Sequence, residues 1–356
     1  MRSANCTRAV AGILVTVPFG HKTDWRFGTE PERYRSFRAE RFVAAVEAEV
    51  RRRAVAFQDQ TFATVYFGGC EPSLLSLEQL YRIIQALYDN LTIQPEEQTL
   101  VVSPGTMNEG KVKVLRESGF DRMELRLHDG VLAEADFRLL RAAGFPTVGV
   151  ELAYDPDPVV WERKLDRLLK LGPDHVALHF PAQSQRTRPR TQRSTNPVAL
   201  LDSFRRTRDR LAPVLNNYAL HHYAQPGHEC RHLLSYWSGA PAVGFGPGAV
   251  SQREKTTWSN PQRLADYLAQ IASGQEPSGQ TGLVRSLCNE LIRLEGIAVR
   301  QVPHAPRRQL VGNGLLTQQG PRLFLTDQGV LALDRIAQTL AAASAPHNGS
   351  HPAASV

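Results

Sequence analysis

Cysteine is scarce in this chain: Cys6, Cys70, Cys230 and Cys288 are scattered over 356 residues with no Cys-x-x-Cys pair. Such spacing builds neither a disulfide framework nor a paired-ligand zinc site, and scattered thiols of this kind are usually buried and reduced. Long apolar runs are also missing, so no stretch reads as a membrane span, and no short apolar segment near the first residue reads as a secretory leader. The expected location is the cytoplasm, with no membrane partner. An excess of one charge is slight: 42 Lys and Arg against 35 Asp and Glu leave a formal +7. Part of that excess is one run, Arg186 to Arg193, which reads as a solvated loop, phosphate binding being the alternative. No RNA- or DNA-binding module is recognisable, so nucleic acid is not an expected partner.

What is present is a rhythm. An apolar, β-branched run at 12–17 breaks at Pro18 and hands over to a short polar loop, as a buried strand does at the rim of an α/β protein. Helical spacing follows over 31–53, a strand at 63–67, and a helix from the Ser76 cap to Leu87. The same unit recurs with strands at 99–103, 122–128, 147–154 and 175–180. Their helices lie at 109–118, 131–143 and 159–171, closed in turn by Gly119, Gly144 and Gly172-Pro173. Six such units predict a parallel sheet rolled toward a barrel, with a doubly wound open sheet as the alternative. A loop at 181–196 interrupts the rhythm before a helix at 198–211 and one further strand at 215–223. From Leu283 the pattern changes to two helices, a small hairpin of two short strands over 314–326 and a last helix at 327–343.

Several ordered motifs carry a likeness. Val17-Pro18-Phe19-Gly20 opens the first loop, Gly68-Gly69-Cys70-Glu71-Pro72-Ser73 follows the second strand, and Ser103-Pro104-Gly105-Thr106 follows the third. Later come Gln225-Pro226-Gly227-His228-Glu229-Cys230-Arg231-His232, ending in Tyr236-Trp237, and Gly244-Phe245-Gly246-Pro247-Gly248-Ala249. The set resembles the radical SAM family of oxygen-independent coproporphyrinogen III oxidase and HemW-like proteins, from about Gly12 to Ala342. The resemblance implies an α/β fold, a partial (β/α)6 TIM-type barrel with a small C-terminal winged-helix-like α+β domain. The expected organisation is an N-terminal arm at 1–11, the partial barrel with its extension at 12–275, the C-terminal domain at 283–343 and a disordered tail at 344–356.

The three family positions that carry cluster cysteines are Gly20, Asp24 and Phe27 here. The acidic residue that meets the SAM ribose aligns with Val101, and the Gly-x-Gln of the fourth strand with Arg126-Leu127-His128. The expectation drawn from these departures is a degenerate member without an iron–sulfur cluster. SAM binding by another geometry, through Gly68, Gly69 and Glu71, stays open, as does a heme ligand among His221, His222, His228 and His232.

Alternation along the strands points Glu124, Arg126, His128, Glu151, His179 and, less firmly placed, His221 into one interior. Buried charge is expensive unless paired or used. Three readings of that interior stay open: an ion-pair network that fills the barrel, a His/carboxylate metal site, and a pocket in which Arg126 holds a carboxylate while His128 or Glu151 does acid/base work. Cys70 reads as a spectator thiol beside a glycine turn. The expected function is a biosynthetic enzyme doing non-radical chemistry on a small molecule. The alternative is a non-catalytic heme or SAM binding protein, or a pseudoenzyme partner of an intact relative.

Overall fold

A computed structural model describes residues 10–20, 29–127, 133–179, 196–254 and 256–344. The elements begin β1 (Ala11–Val17), α1 (Ser36–Arg53), β2 (Thr61–Gly69), α2 (Leu77–Asn90), β3 (Thr92–Val102), α3 (Glu109–Glu117), β4 (Arg122–Leu127) and α4 (Glu134–Ala142). They continue as β5 (Thr147–Ala153), α5 (Pro158–Leu171), β6 (His175–His179), α6 (Pro197–Leu211), β7 (Asn216–Ala219), β8 (His222–Ala224), α7 (Arg231–Trp237) and β9 (Ala242–Phe245). Next are β10 (Val250–Arg253), β11 (Thr256–Ser259), α8 (Leu264–Ser273) and β12 (Gln280–Thr281). The chain divides into two compact units, Met1–Gly282 and Leu283–Val356.

In the first unit one sheet runs in the order β12-β11-β10-β9-β1-β2-β3-β4-β5-β6-β8-β7. Its middle, β9 and β1 to β6, is parallel throughout, as strand–helix alternation requires. β1 is buried at every residue, which explains why its sequence is continuously apolar rather than alternating. On β4, β5 and β6, Met123, Leu125, Leu127, Val148, Val150, Leu152, Val176 and Leu178 are buried beneath the helices. The opposite face is therefore the interior.

Both ends of the parallel run turn antiparallel. The expected single strand at 215–223 is a hairpin, β7 with β8, and β8 pairs antiparallel with β6. His221 sits at the turn with φ 67° and leaves the interior. Its Nδ1 lies 3.1 Å from the Tyr154 hydroxyl and its ring packs on Phe204. The sheet is curled, because the seven-residue α7 touches strands far apart in its order: the Trp237 ring lies 5.0 Å from His222 of β8, and His232 stacks on Tyr66 of β2.

The second unit comprises α9 (Leu283–Ile292), β13 (Ile297–Ala298), α10 (His304–Gly312), β14 (Leu316–Gln319), β15 (Arg322–Leu325), α11 (Asp327–Val330) and α12 (Leu333–Ser344). A small antiparallel sheet, β13-β15-β14, packs with the helices around Leu287, Leu291, Ile297, Leu310, Leu323 and Ile336. The single last helix expected at 327–343 is two. Thr326 caps a one-turn α11, which closes as Ala332 N donates to Gly329 O before α12 begins.

Candidate functional site

The interior face of the sheet carries its charge in two tiers. The lower tier lies on the N-terminal halves of β3 to β6. Arg122 donates through Nε to Glu97 at 3.1 Å and through Nη1 to Glu124 at 2.7 Å. His175 Nδ1 stands 2.9 and 3.0 Å from the two oxygens of Glu124, and its Nε2 lies 2.8 Å from the Tyr218 hydroxyl. Glu124 faces Gly149 across the ladder, and a Cβ at 149 would come within 2.1 Å of its carboxylate. The acid occupies the space that the missing side chain leaves.

Segment 226–237 plugs this tier from below. Glu97 accepts the backbone N–H groups of Arg231 and His232 at 3.1 and 3.0 Å and the Cys230 thiol at 3.4 Å. The Cys230 N–H donates to Tyr218, and Arg122 reaches the His228 carbonyl. His232 is buried, with its Nδ1 2.9 Å from Thr64 Oγ1 and its ring stacked on Tyr66 at 5.1 Å. His228 Nδ1 sits 2.9 Å from Thr147 Oγ1. The Gln-Pro-Gly-His-Glu-Cys-Arg-His motif is thus built into the barrel floor.

Electrostatics agree. Burial pushes Glu97 and Glu124 up, but Arg122 pulls Glu97 down, and His175 and then Arg122 pull Glu124 down. Both carboxyls end below the ordinary range. Burial lowers His232 to about 4 and His221 to about 3, so both imidazoles are neutral. It pushes the Cys230 thiol well up, which leaves it un-ionised.

The upper tier lies toward the strand C-termini, where parallel barrels place their ligands. Arg126, fully buried, donates through Nε to Glu151 at 2.9 Å and through Nη1 to the carbonyls of Gly69, at 2.7 Å, and Cys70. These bonds tie β4 and β5 to the turn after β2. Gly69 has φ 90°, and a Cβ there would strike the Val17 carbonyl at 2.6 Å, so this turn needs glycine. The next two N–H groups, of Cys70 and Glu71, donate to Val17 and Phe19. The Glu71 side chain lies against Gly20. His179, one quarter exposed, sets its Nδ1 3.7 Å from Glu151. Lys111 Nζ clamps the following turn through the carbonyls of Ser73 and Leu75.

The structure therefore brings Arg126, Glu151, His179, Gly69 and Cys70 together at one rim and places Glu124 a tier lower. Two donor atoms of Arg126 hold protein carbonyls and Glu151, so the guanidinium acts as a strut in this state. His128, Asp24 and Phe27 lie outside the described residues, as does the 186–193 run. Arg122, Glu97 and His175 were missed. Arg122 and His175 sit two residues before Glu124 and Ala177 in the same alternation, and extending the period backwards finds them. Glu97 gave no signal, because β3 starts seven residues before its apolar stretch.

No protein-family model matches the chain. Among curated proteins it is 28% identical over 339 residues to the heme chaperone HemW of Mycobacterium tuberculosis, covering 85% of this chain and 86% of that protein. HemW of Lactococcus lactis is 24% identical, covering 77% and 83%. Oxygen-independent coproporphyrinogen III oxidase of Salmonella typhimurium is 27% identical over 192 residues, covering 48% of this chain and 42% of that enzyme. Among solved structures, Escherichia coli coproporphyrinogen III oxidase (HemN), titled a radical SAM enzyme, superposes with a TM-score of 0.73 at 19% identity, over 93% of this chain and 90% of that one. That match shows the fold.

These relatives overturn the expectation of a protein without an iron–sulfur cluster. It rested on Gly20, Asp24 and Phe27, two of which lie outside the described residues, against a likeness to radical SAM proteins that spans most of the chain. Among the described residues no three His, Cys, Asp or Glu side chains stand together to hold a metal ion. Cys70 and Cys230 are buried in different tiers.

Proposed function

Because the chain is a homologue of the heme chaperones and coproporphyrinogen III oxidases of the radical SAM family, we propose that it binds heme and carries it rather than transforming it. One observation carries this reading: the sequence likeness to a protein named a heme chaperone covers 85% of the chain, whereas the sequence likeness to a coproporphyrinogen III oxidase covers 48%. The interior chemistry is compatible with a carrier. Glu97, Arg122, Glu124 and His175 are bonded to one another and brace the floor, and Arg126 braces the rim. Such a scaffold holds a pocket open without needing a reactive pair.

A second reading, a small-molecule enzyme working by acid/base chemistry, is favoured by His179. Its ring is partly exposed beside Glu151 at the rim, where a proton relay would be useful. Glu124 and Arg126 would then shape the pocket, with Gly68, Gly69 and Glu71 at its lip.

The test is a hemin titration of the full chain, followed in the Soret region, with iron and sulfide measured on the same anaerobic preparation. A saturable Soret shift at one heme per chain supports the carrier reading. Hemin recovered unbound at micromolar protein rejects it and leaves the acid/base site. In that case His179→Phe tests the enzyme reading against a substrate screen.

A further inference from the structure

His222 is the interior side chain whose chemistry the site leaves unused. It stands on β8 opposite Ala177 of β6. Its ring lies 5.0 Å from Trp237, 5.7 Å from His175 and 5.9 Å from Tyr218. Two of those neighbours are occupied: His175 lies between Glu124 and Tyr218, and Tyr218 also accepts the Cys230 N–H. The His222 Nδ1 is buried and meets no hydrogen-bond partner among the described residues.

A buried polar nitrogen left unmade costs about 1–3 kcal/mol. Such a group in a native fold calls for an explanation, a redox or binding role, a water or an ion among them. Burial, with the nearby His175 and His221 rings, holds this imidazole well below 6.5, hence neutral, with a free lone pair on one nitrogen. Its surroundings reach solvent: Ala177, opposite it on β6, His179 and Trp237 are each only half-buried. Trp237, at the end of α7, borders the seam between that helix and β8, and its indole offers a broad apolar wall beside the imidazole.

We propose that this seam is the seat of a flat iron tetrapyrrole, with Trp237 packed on the macrocycle and a neutral nitrogen of His222 as axial ligand to the iron. The proposal rests on the heme-carrier reading and locates its site. A neutral imidazole is the protonation state that iron ligation needs, and the wall of rings suits a planar ligand better than a phosphate or a sugar. No bond to the protein other than the iron–nitrogen bond forms, and no electron moves.

The experiment compares hemin with metal-free protoporphyrin IX on the full chain. His222→Phe keeps a ring in the packing and removes both nitrogens. It is expected to lower hemin affinity at least about tenfold while leaving the metal-free porphyrin within about twofold, the pattern of a lost iron ligand. Trp237→Leu should weaken both ligands. Should His222→Phe fold poorly, His222→Ala titrated with free imidazole replaces it, and recovery of the wild-type Soret band is expected. His304→Phe, at an exposed position of the second unit, is the control for adventitious surface histidines. Unchanged hemin affinity and spectrum in His222→Phe, or an equal loss in the His304 control, overturns this site and leaves the carrier reading standing. Absence of hemin binding by the wild type overturns both.

Discussion

Glu124 owes its place to the glycine opposite. A methyl group at 149 would overlap its carboxylate, so Gly149→Ala must either eject the acid from its bonds with Arg122 and His175 or spread β4 from β5. We expect a loss of about 3 kcal/mol in urea unfolding, at the upper end of overpacking effects. Arg126→Leu removes the buried guanidinium that bonds Glu151 and the carbonyls of Gly69 and Cys70; about 3–5 kcal/mol is expected. Reduced ligand binding in that variant is therefore informative only at a temperature where circular dichroism shows it folded.

The same residues set the acid limit. Glu97 and Glu124 titrate lower in the fold than in the unfolded chain, so their stabilisation is present above about pH 4.5 and is lost as pH falls through their folded values. The neutral imidazoles act in the same direction but earlier. Their stabilisation is complete above 6.5 and is lost as pH falls toward about 4 for His232 and about 3 for His221. The melting temperature should begin to fall below about pH 6.5 and fall faster below about pH 4.5. A flat melting temperature from pH 7 to 4 would contradict these assignments. Strand alternation made Glu124, Arg126, Glu151 and His179 legible beforehand. It could not reveal their partners, because pairing across strands depends on register, which one sequence does not state.

At the scale of elements, caps and stops were easy to read. Ser76 accepts from Gln79 N while the Gln79 side chain returns to Ser76 N, a reciprocal pair that places the start of α2. Ser76→Ala should cost about 1 kcal/mol, measurable as a shift of the denaturant midpoint without a change of slope. The β7–β8 hairpin was not legible. Its turn uses a histidine at positive φ in place of the Asn-Gly or Asp-Gly pair that marks such turns, and its strands are three and four residues long. The edge strands β10 to β12 escaped for a related reason: they are short and their pairing is antiparallel to the repeating unit. Glu49 was also missed. A charged residue on an amphipathic helix reads as solvated, yet it is buried and bonded to Arg53, Gly246 N, Asn260 and Tyr267.

At the scale of the molecule, the two units each possess a core, and the second closes its own around a separate sheet. Calorimetry of the full chain should accordingly depart from a single two-state transition, with a calorimetric enthalpy exceeding the van't Hoff value. Coincidence of the two enthalpies would mean that the units unfold as one. The strand–helix rhythm conveyed the parallel order of β1 to β6 in advance. The seventh parallel strand was hidden, since Ala242–Phe245 is four residues long and follows a break in the rhythm.

That seventh strand has a consequence for biosynthesis. β1 is completed on one side by β2, but its other edge waits for β9, whose Ala242 pairs with Gly12. At about 5–20 residues per second, a ribosome needs roughly 10 to 50 seconds to cover that distance. For that interval a strand built to be buried at every residue has one bare edge, so the nascent chain, more than the finished protein, is the form that has most need of a chaperone's shelter.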